Sequence, residues 1–308
     1  NRPTDPARNP DGSWYWNPST LRLSNNQYNP GYLLEKNYVQ AGTLRAFANL
    51  SAEYKVLDNL TYRFVFSPEY VNVEEDTYWN PLHGDGVTYG GYQRTSVNRY
   101  FNFNVQNILD YSKKFDLHNI GLSLIQEAYK TDRKFLRSTG ITVGSPELET
   151  LSNFVVPYGF EGKRTVSSRY GYAVTGHYDY DKLFLVDGSY RRDVLSQFLP
   201  GQKAGNFWSV GVGVDLARIN FLRDIDAISM MKFRGSYGKL GNQVTANPYA
   251  LYAYNLNYND TAAAQYYNIL NPNLSWETVK PLNVGLDLGF FNDRLKVTAE
   301  YYNKRPVI

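Results

Sequence analysis

From Leu282 to Tyr302 the chain reads LNVGLDLGFFNDRLKVTAEYY, and apolar positions alternate with polar or small ones on either side of Asn292 and Asp293. Leu282, Val284, Leu286 and Leu288 fall on one side of an extended chain, and Asn283, Gly285, Asp287 and Gly289 on the other, because successive side chains point in opposite directions. Past the turn, Leu295, Val297, Ala299 and Tyr301 alternate with Lys296, Thr298, Glu300 and Tyr302. Each arm is about ten residues long, the length a tilted strand needs to cross the hydrocarbon core of a bilayer. The hairpin therefore predicts two membrane-crossing strands.

The same pattern predicts about ten strands: Thr43–Tyr54, Leu60–Asn72, Asn98–Tyr111, Asn119–Tyr129, Arg169–Asp179, Leu183–Arg192, Asn206–Leu216, Met230–Gly238, Glu277–Gly289 and Arg294–Asn303. Short turns are expected at Val56–Asn59, Lys114–Leu117, Tyr180–Lys182 and Phe290–Asp293, and a compact connection at Ala217–Ser229. Between them lie long polar, Gly- and aromatic-rich segments, Asp76–Val97, Lys130–Ser168, Asp193–Gly205 and Lys239–Trp276. Short periplasmic turns alternating with long outer loops mark an outer-membrane barrel, whereas a soluble β-sandwich adhesin would seldom keep its long loops on one side. Tyr54, Tyr62, Tyr111, Phe115, Tyr178, Tyr180, Phe290 and Phe291 fall beside the short turns, where an interfacial aromatic girdle would sit. The expected fold is all-β, a transmembrane antiparallel β-barrel.

Composition narrows the alternatives. The chain of 308 residues has 28 Tyr, 16 Phe and a mean hydropathy of -0.48, too aromatic for a disordered chain and too polar for a helical membrane protein. No apolar run approaches the roughly 18 residues of a membrane helix, which in a barrel proves nothing. A net charge of +3 without a basic block gives no support to nucleic-acid binding. Without cysteine there is neither a disulfide framework nor a thiolate metal site. Asn1 to Asn17 is polar and carries no secretory signal. The first strand runs into a short turn and the last runs out of one, so residues 1–308 are expected to be a middle portion of a larger barrel, its closure lying elsewhere.

Several blocks, in one order, resemble a known family: YDYDKLFLVDGSYRRD at Tyr178–Asp193, MKFRGSYGKLGNQ at Met231–Gln243, NPNLSWETVKPLNVGLDLGFFNDRLKVTAEYYNK at Asn271–Lys304 and, more weakly, NPGYLLEK at Asn29–Lys36. They are similar to the SusC/RagA family of TonB-dependent outer-membrane transporters. Val194 and Leu195 after Asp193, and Lys280 with Pro281, depart from its pattern and put loop shape in doubt. The resemblance implies a barrel of about 22 strands around an N-terminal plug that these residues do not contain. It also implies energisation through TonB and a SusD-like surface lipoprotein as lid. Cargo would be large nutrients, oligosaccharides or oligopeptides, imported across the outer membrane of a Bacteroidetes-type Gram-negative cell.

Candidate chemistry is sparse. His83, His118 and His177 lack partners at metal-ligand spacing, and Glu74, Glu75 and Asp76 lack the spacing of a calcium loop, so a solvated acidic face is the better reading. Gly235, Gly238 and Gly241 are not followed by the Lys-Ser/Thr of a phosphate loop, and serve close backbone packing. Asp187, Ser189 and Arg191 share a strand face, but a hydrolase such as a barrel protease or lipase would need a histidine beside them. No catalytic residue, metal or cofactor is therefore expected. The candidate ligand-binding residues are aromatics of the outer segments, Trp14, Trp16, Tyr78, Trp79, Tyr89, Tyr92, Tyr252, Tyr254 and Tyr258, whose faces could stack on sugar rings or meet peptide backbone. The same rings could instead hold loops together or meet a lid protein.

Overall fold

A computed structural model describes residues 5–145, 148–219, 225, 227–243, 249, 251–258 and 261–307; the side chains of 251–262, 265–268 and 307 lie outside the described residues. Thirteen strands are described: β1 Tyr38–Phe47, β2 Leu50–Leu57, β3 Leu60–Trp79, β4 Tyr92–Phe115, β5 His118–Val143, β6 Phe154–Tyr180, β7 Phe184–Leu195, β8 Ala204–Asp215, β9 Ile228–Asn242, β10 Leu251–Tyr258, β11 Thr261–Asn268, β12 Glu277–Phe290 and β13 Leu295–Val307. Eleven of them make one sheet in the order β1-β3-β4-β5-β6-β7-β8-β9-β12-β13, with β2 also on β3, while β10 and β11 pair separately. Two short helices, α1 Pro30–Lys36 and α2 Gly86–Tyr89, complete the described elements apart from single 3-10 turns.

All ten expected strands are present, but three differences stand out. The first breaks at Ala48 and Asn49 into β1 and β2. The segment Lys239–Trp276 carries the β10–β11 hairpin. Both ends of Asp76–Val97 and most of Lys130–Ser168, expected as loops, are strand, because β3 to β6 run for 20, 24, 26 and 27 residues. About ten residues suffice to cross a bilayer, so these strands continue as ribbons beyond it. With water on both faces of a ribbon, nothing imposes an apolar face, and the alternation that marks a membrane strand is missing.

Two compact units share the strands. The first comprises Asn1–Ala48, Pro68–Asn102 and Thr131–Val166. Cross-strand charge pairs accompany its ribbon ladders: Arg164 donates to both carboxylate oxygens of Asp132 at 3.0 and 2.6 Å, and Arg137 to Glu161 at 3.3 Å. Such exposed pairs contribute only about 0–1 kcal/mol each. Register is then mainly a matter of backbone pairing.

The second unit comprises Asn49–Ser67, Phe103–Lys130 and Ser167–Ile308. Its register lines up rows of one chemistry. Val186 pairs with Val212, Val212 with Gly235, Gly235 with Val284 and Val284 with Tyr301, while a neighbouring row joins Phe184, Val214, Phe233, Leu286 and Ala299. On the opposite face His177, Asp187, Gly211, Ser236 and Asn283 form one row. The apolar rows are exposed, Val284 to 49%, as lipid-facing positions must be. Pro281 has no N–H to give, and the β12–β9 ladder skips Lys280 and Pro281 while keeping its register. The β12–β13 turn holds Phe291, Asn292 and Asp293 at φ of 55°, 55° and 64°. Ser229 anchors it, donating to the Asp293 carboxylate at 2.8 Å and accepting the Asp293 N–H at 3.1 Å.

Val284→Arg, in the lipid-facing row, should cost roughly 2–4 kcal/mol, whereas Asp287→Asn, on the other face, should cost about 1 kcal/mol. Guanidinium unfolding of the full-length protein in liposomes checks this, and equal costs would contradict the assigned faces.

Candidate functional site

The expected ligand-binding aromatics fall into distinct groups. Trp14 and Trp16 belong to a cluster that folds residues 5–37 onto the β3–β4 connection. Asn29 caps α1: its side-chain oxygen accepts the Gly31 N–H, and its amide donates to the carbonyls of Ala7 and Tyr15, all at 3.0 Å. The Asn29 N–H donates to Nε2 of His83 at 2.8 Å. The Trp16 ring stacks on His83 with centroids 4.3 Å apart, and Tyr28 and Tyr32 meet His83 edge-on. Trp14 packs on Gly31, with the Arg8 guanidinium 3.7 Å over its ring. Tyr32 donates to Asn80 at 2.7 Å. Both tryptophans are half-buried here and are engaged in holding the segment.

Tyr78 is 1% exposed, stacked on Tyr38 with centroids 5.6 Å apart and edge-on to Phe154. Trp79, Tyr89 and Tyr92 come together: Trp79 stacks on Tyr92 at 4.4 Å, and Tyr89 lies 5.6 Å from Tyr92 and 5.5 Å from Tyr158. Tyr92 is buried, Trp79 and Tyr89 are half-buried and Tyr158 is exposed, so this quartet offers partial ring faces on a rigid base. Sequence reading passed over Tyr158 because its strand shows no alternation. Tyr252, Tyr254 and Tyr258 stand on β10, and their side chains lie outside the described residues.

In the second unit the inward face is polar and cross-linked. Arg191 donates to Glu127 at 2.6 Å and to both oxygens of Asp193 at 2.9 and 2.7 Å, and Arg169 approaches Glu127 at 4.0 Å. Arg234 donates to Asp287 at 3.0 Å and bonds Glu300, while Thr298 donates to Asp287 at 3.0 Å. His177 does stand beside Asp187, Nδ1 to carboxylate 2.7 Å, but its Nε2 lies 3.5 Å from Asp179, so both ring nitrogens face carboxylates. Ser189 is hydrogen-bonded to Ser209 at 2.6 Å. Neither imidazole nitrogen is left to take a serine proton, and the hydrolase arrangement is not assembled.

Glu74, Glu75 and Asp76 are consecutive on β3 and so alternate between faces, Glu75 accepting from Ser96 at 3.2 Å and Asp76 from Thr95 at 2.6 Å. They do not converge on a cation. Gly241 lies under the Phe207 ring, and Gly205 lies against Phe207 and Trp276. Close packing accounts for these glycines.

Burial lowers the His83 pKa, and the charge of Arg22 adds to the effect. The folded state thus binds a proton less readily than the unfolded chain, so this stability is present above the ordinary value of about 6.5 and is lost as pH falls through the depressed one. Limited proteolysis should find residues 5–37 protected at neutral pH and cleaved more readily at acidic pH. His83→Gln keeps an acceptor for Asn29 and should flatten that dependence. Glu127→Ala should cost about 1–3 kcal/mol in guanidinium unfolding, because it removes one of the two carboxylates that hold Arg191 and leaves Asp193 as the other.

The family model described as TonB dependent receptor-like, beta-barrel, matches residues 1–305. TonB-dependent receptor P3 of Formosa agariphila is 28% identical over 276 residues, covering 85% of this chain and 27% of the relative. TonB-dependent receptor SusC of Bacteroides thetaiotaomicron is 25% identical, covering 96% and 30%. The structure of the RagAB peptide transporter superposes with a TM-score of 0.85 at 21% identity, covering 96% of this chain and 34% of the other. The chain thus spans about a quarter to a third of the length of these relatives. The resemblance read from the sequence blocks and the barrel fold read from alternation meet in one result. With its apolar outer rows and cross-linked polar inner face, this chain belongs to the TonB-dependent receptor β-barrel family and forms part of an outer-membrane barrel wall.

Proposed function

We infer that this wall serves an active importer of large nutrients, energised through TonB and working with a SusD-like lid lipoprotein. Its work is binding and gated passage, without bond chemistry. The observation that carries the reading is the two-faced sheet. Apolar rows face one way, and the Arg191–Glu127–Asp193 and Arg234–Asp287–Glu300 networks line the other. A face carrying several ion pairs suits a polar, water-filled or plugged lumen and would be unstable against lipid.

Cargo is a glycan or an oligopeptide, the classes that the family resemblance of the sequence blocks implies, and the similar RagAB structure is that of a peptide transporter. Among the residues expected to touch it, Trp79 and Tyr89 are half-buried beside the exposed Tyr158, and Tyr252, Tyr254 and Tyr258 remain candidates on β10. Tyr92 supports Trp79 and Tyr89, while Trp14, Trp16 and Tyr78 hold other parts of the first unit together.

The test is binding of the full-length transporter and its lid protein to a panel of glycans and oligopeptides by calorimetry. One class should bind, and a combined Trp79→Ala, Tyr89→Ala variant should weaken it roughly tenfold, the worth of one or two lost stacking faces. Unchanged affinity in a folded variant would remove this quartet from the binding surface. Uptake that persists without TonB would end the importer reading.

A further inference from the structure

The outward face of the second unit carries charge of one sign at one level. Along β7, β8, β12, β13 and the Met231–Lys239 part of β9, the residues in register with the lipid-facing rows include no Asp or Glu. They include four cations: Arg192, Lys239, Lys280 and Arg305. Each lies between eight and eleven residues from the strand end at its short turn. That is about the length of strand that crosses a bilayer, so all four emerge where the apolar band ends on the side of the long connections.

These cations are adjacent as well as level. Lys239 stands beside Trp208, which stands beside Tyr190, and Lys280 is directly opposite Arg305. Arg192 is opposite Tyr172. Like charges directly opposed across a strand pair destabilise the sheet. Among the described residues none of the four has an ion pair, although Arg191, Arg234 and Arg63 on the inward face all do. Lys280 is also one of the residues that depart from the family's sequence pattern.

We propose that Arg192, Lys239, Lys280 and Arg305 form a belt that binds the phosphate groups of lipid headgroups in the outer leaflet. The belt continues the lipid-facing surface without interruption, so the molecules nearest to it are the headgroups of the lipids whose chains cover Val210, Leu282 and Val284. Neighbouring strands stand about 4.8 Å apart, which places Lys280 and Arg305 within reach of one phosphate. Tyr172, Tyr190 and Trp208 supply the rings that hold such a belt at the interface. The phosphate offsets the repulsion that the bare pair would suffer.

The test uses the full-length protein in vesicles of phosphatidylcholine alone or mixed with phosphatidic acid, whose phosphomonoester is the probe. Native mass spectrometry counts the lipid retained on release. The wild type should retain phosphatidic acid over phosphatidylcholine, and K239Q/K280Q/R305Q should lose that preference roughly tenfold or more. Lys304→Gln, the same charge loss on the inward face of β13, should not change it. The charge-conserving K239R/K280R/R305K variant should keep it. Inorganic phosphate should not displace the lipid. Retention by the triple Gln variant equal to wild type overturns the proposal, as does loss in the charge-conserving variant or displacement by free phosphate. A change of oligomeric state with lipid preference intact would assign the belt to a protein contact and also overturn it.

Discussion

Inside a bilayer no water satisfies a backbone N–H or C=O, so each must find its partner within the protein, at a cost of several kcal/mol for every failure. In this chain the continuous antiparallel ladder of β6, β7, β8, β9, β12 and β13 answers that constraint. Once the ladder is fixed, side-chain geometry follows, because a period of two sends alternate residues to lipid and to lumen. The apolar row through Val186, Val212, Gly235, Val284 and Tyr301 and the polar row through His177, Asp187, Gly211, Ser236 and Asn283 are two sides of the same hydrogen bonds.

The inward networks depend on that arrangement. A cation such as Arg191 or Arg234 can be held on a membrane-crossing strand only where carboxylates stand across the ladder to receive it, as Glu127, Asp287 and Glu300 do. The ribbons of the first unit obey different physics. Water reaches both faces of the ribbons, so backbone pairing and rigid aromatic clusters such as Trp16–His83–Tyr32 provide the order.

Legibility in the sequence follows the same division. Leu282 to Tyr302 was readable because lipid on one side and polar lumen on the other force a strict alternation, and the structure pairs these residues in that register. Lys130 to Val143 concealed a strand because neither face of it meets lipid. The break at Ala48 and Asn49 left no pattern to detect. Trp14 and Trp16 could be assigned to the outer segments, but not to structural support, since Trp14 meets Tyr32 of α1 and Trp16 stacks on His83, which itself meets Asn29 across 54 residues of sequence. The burial of Tyr78 was equally hidden, because it depends on Tyr38 and Phe154 from other strands.

The central claim is that one hydrogen-bonded ladder divides residues 282–289 between lipid and lumen. The chain has no cysteine, which makes single-cysteine labelling direct. Each position from Leu282 to Gly289 would be changed to Cys in the full-length protein and treated, in native outer membranes, with a water-soluble maleimide. Labelling should alternate strictly, with Asn283→Cys, Gly285→Cys, Asp287→Cys and Gly289→Cys reactive and the four changes at Leu282, Val284, Leu286 and Leu288 protected. Uniform labelling, or the opposite alternation, would contradict the account.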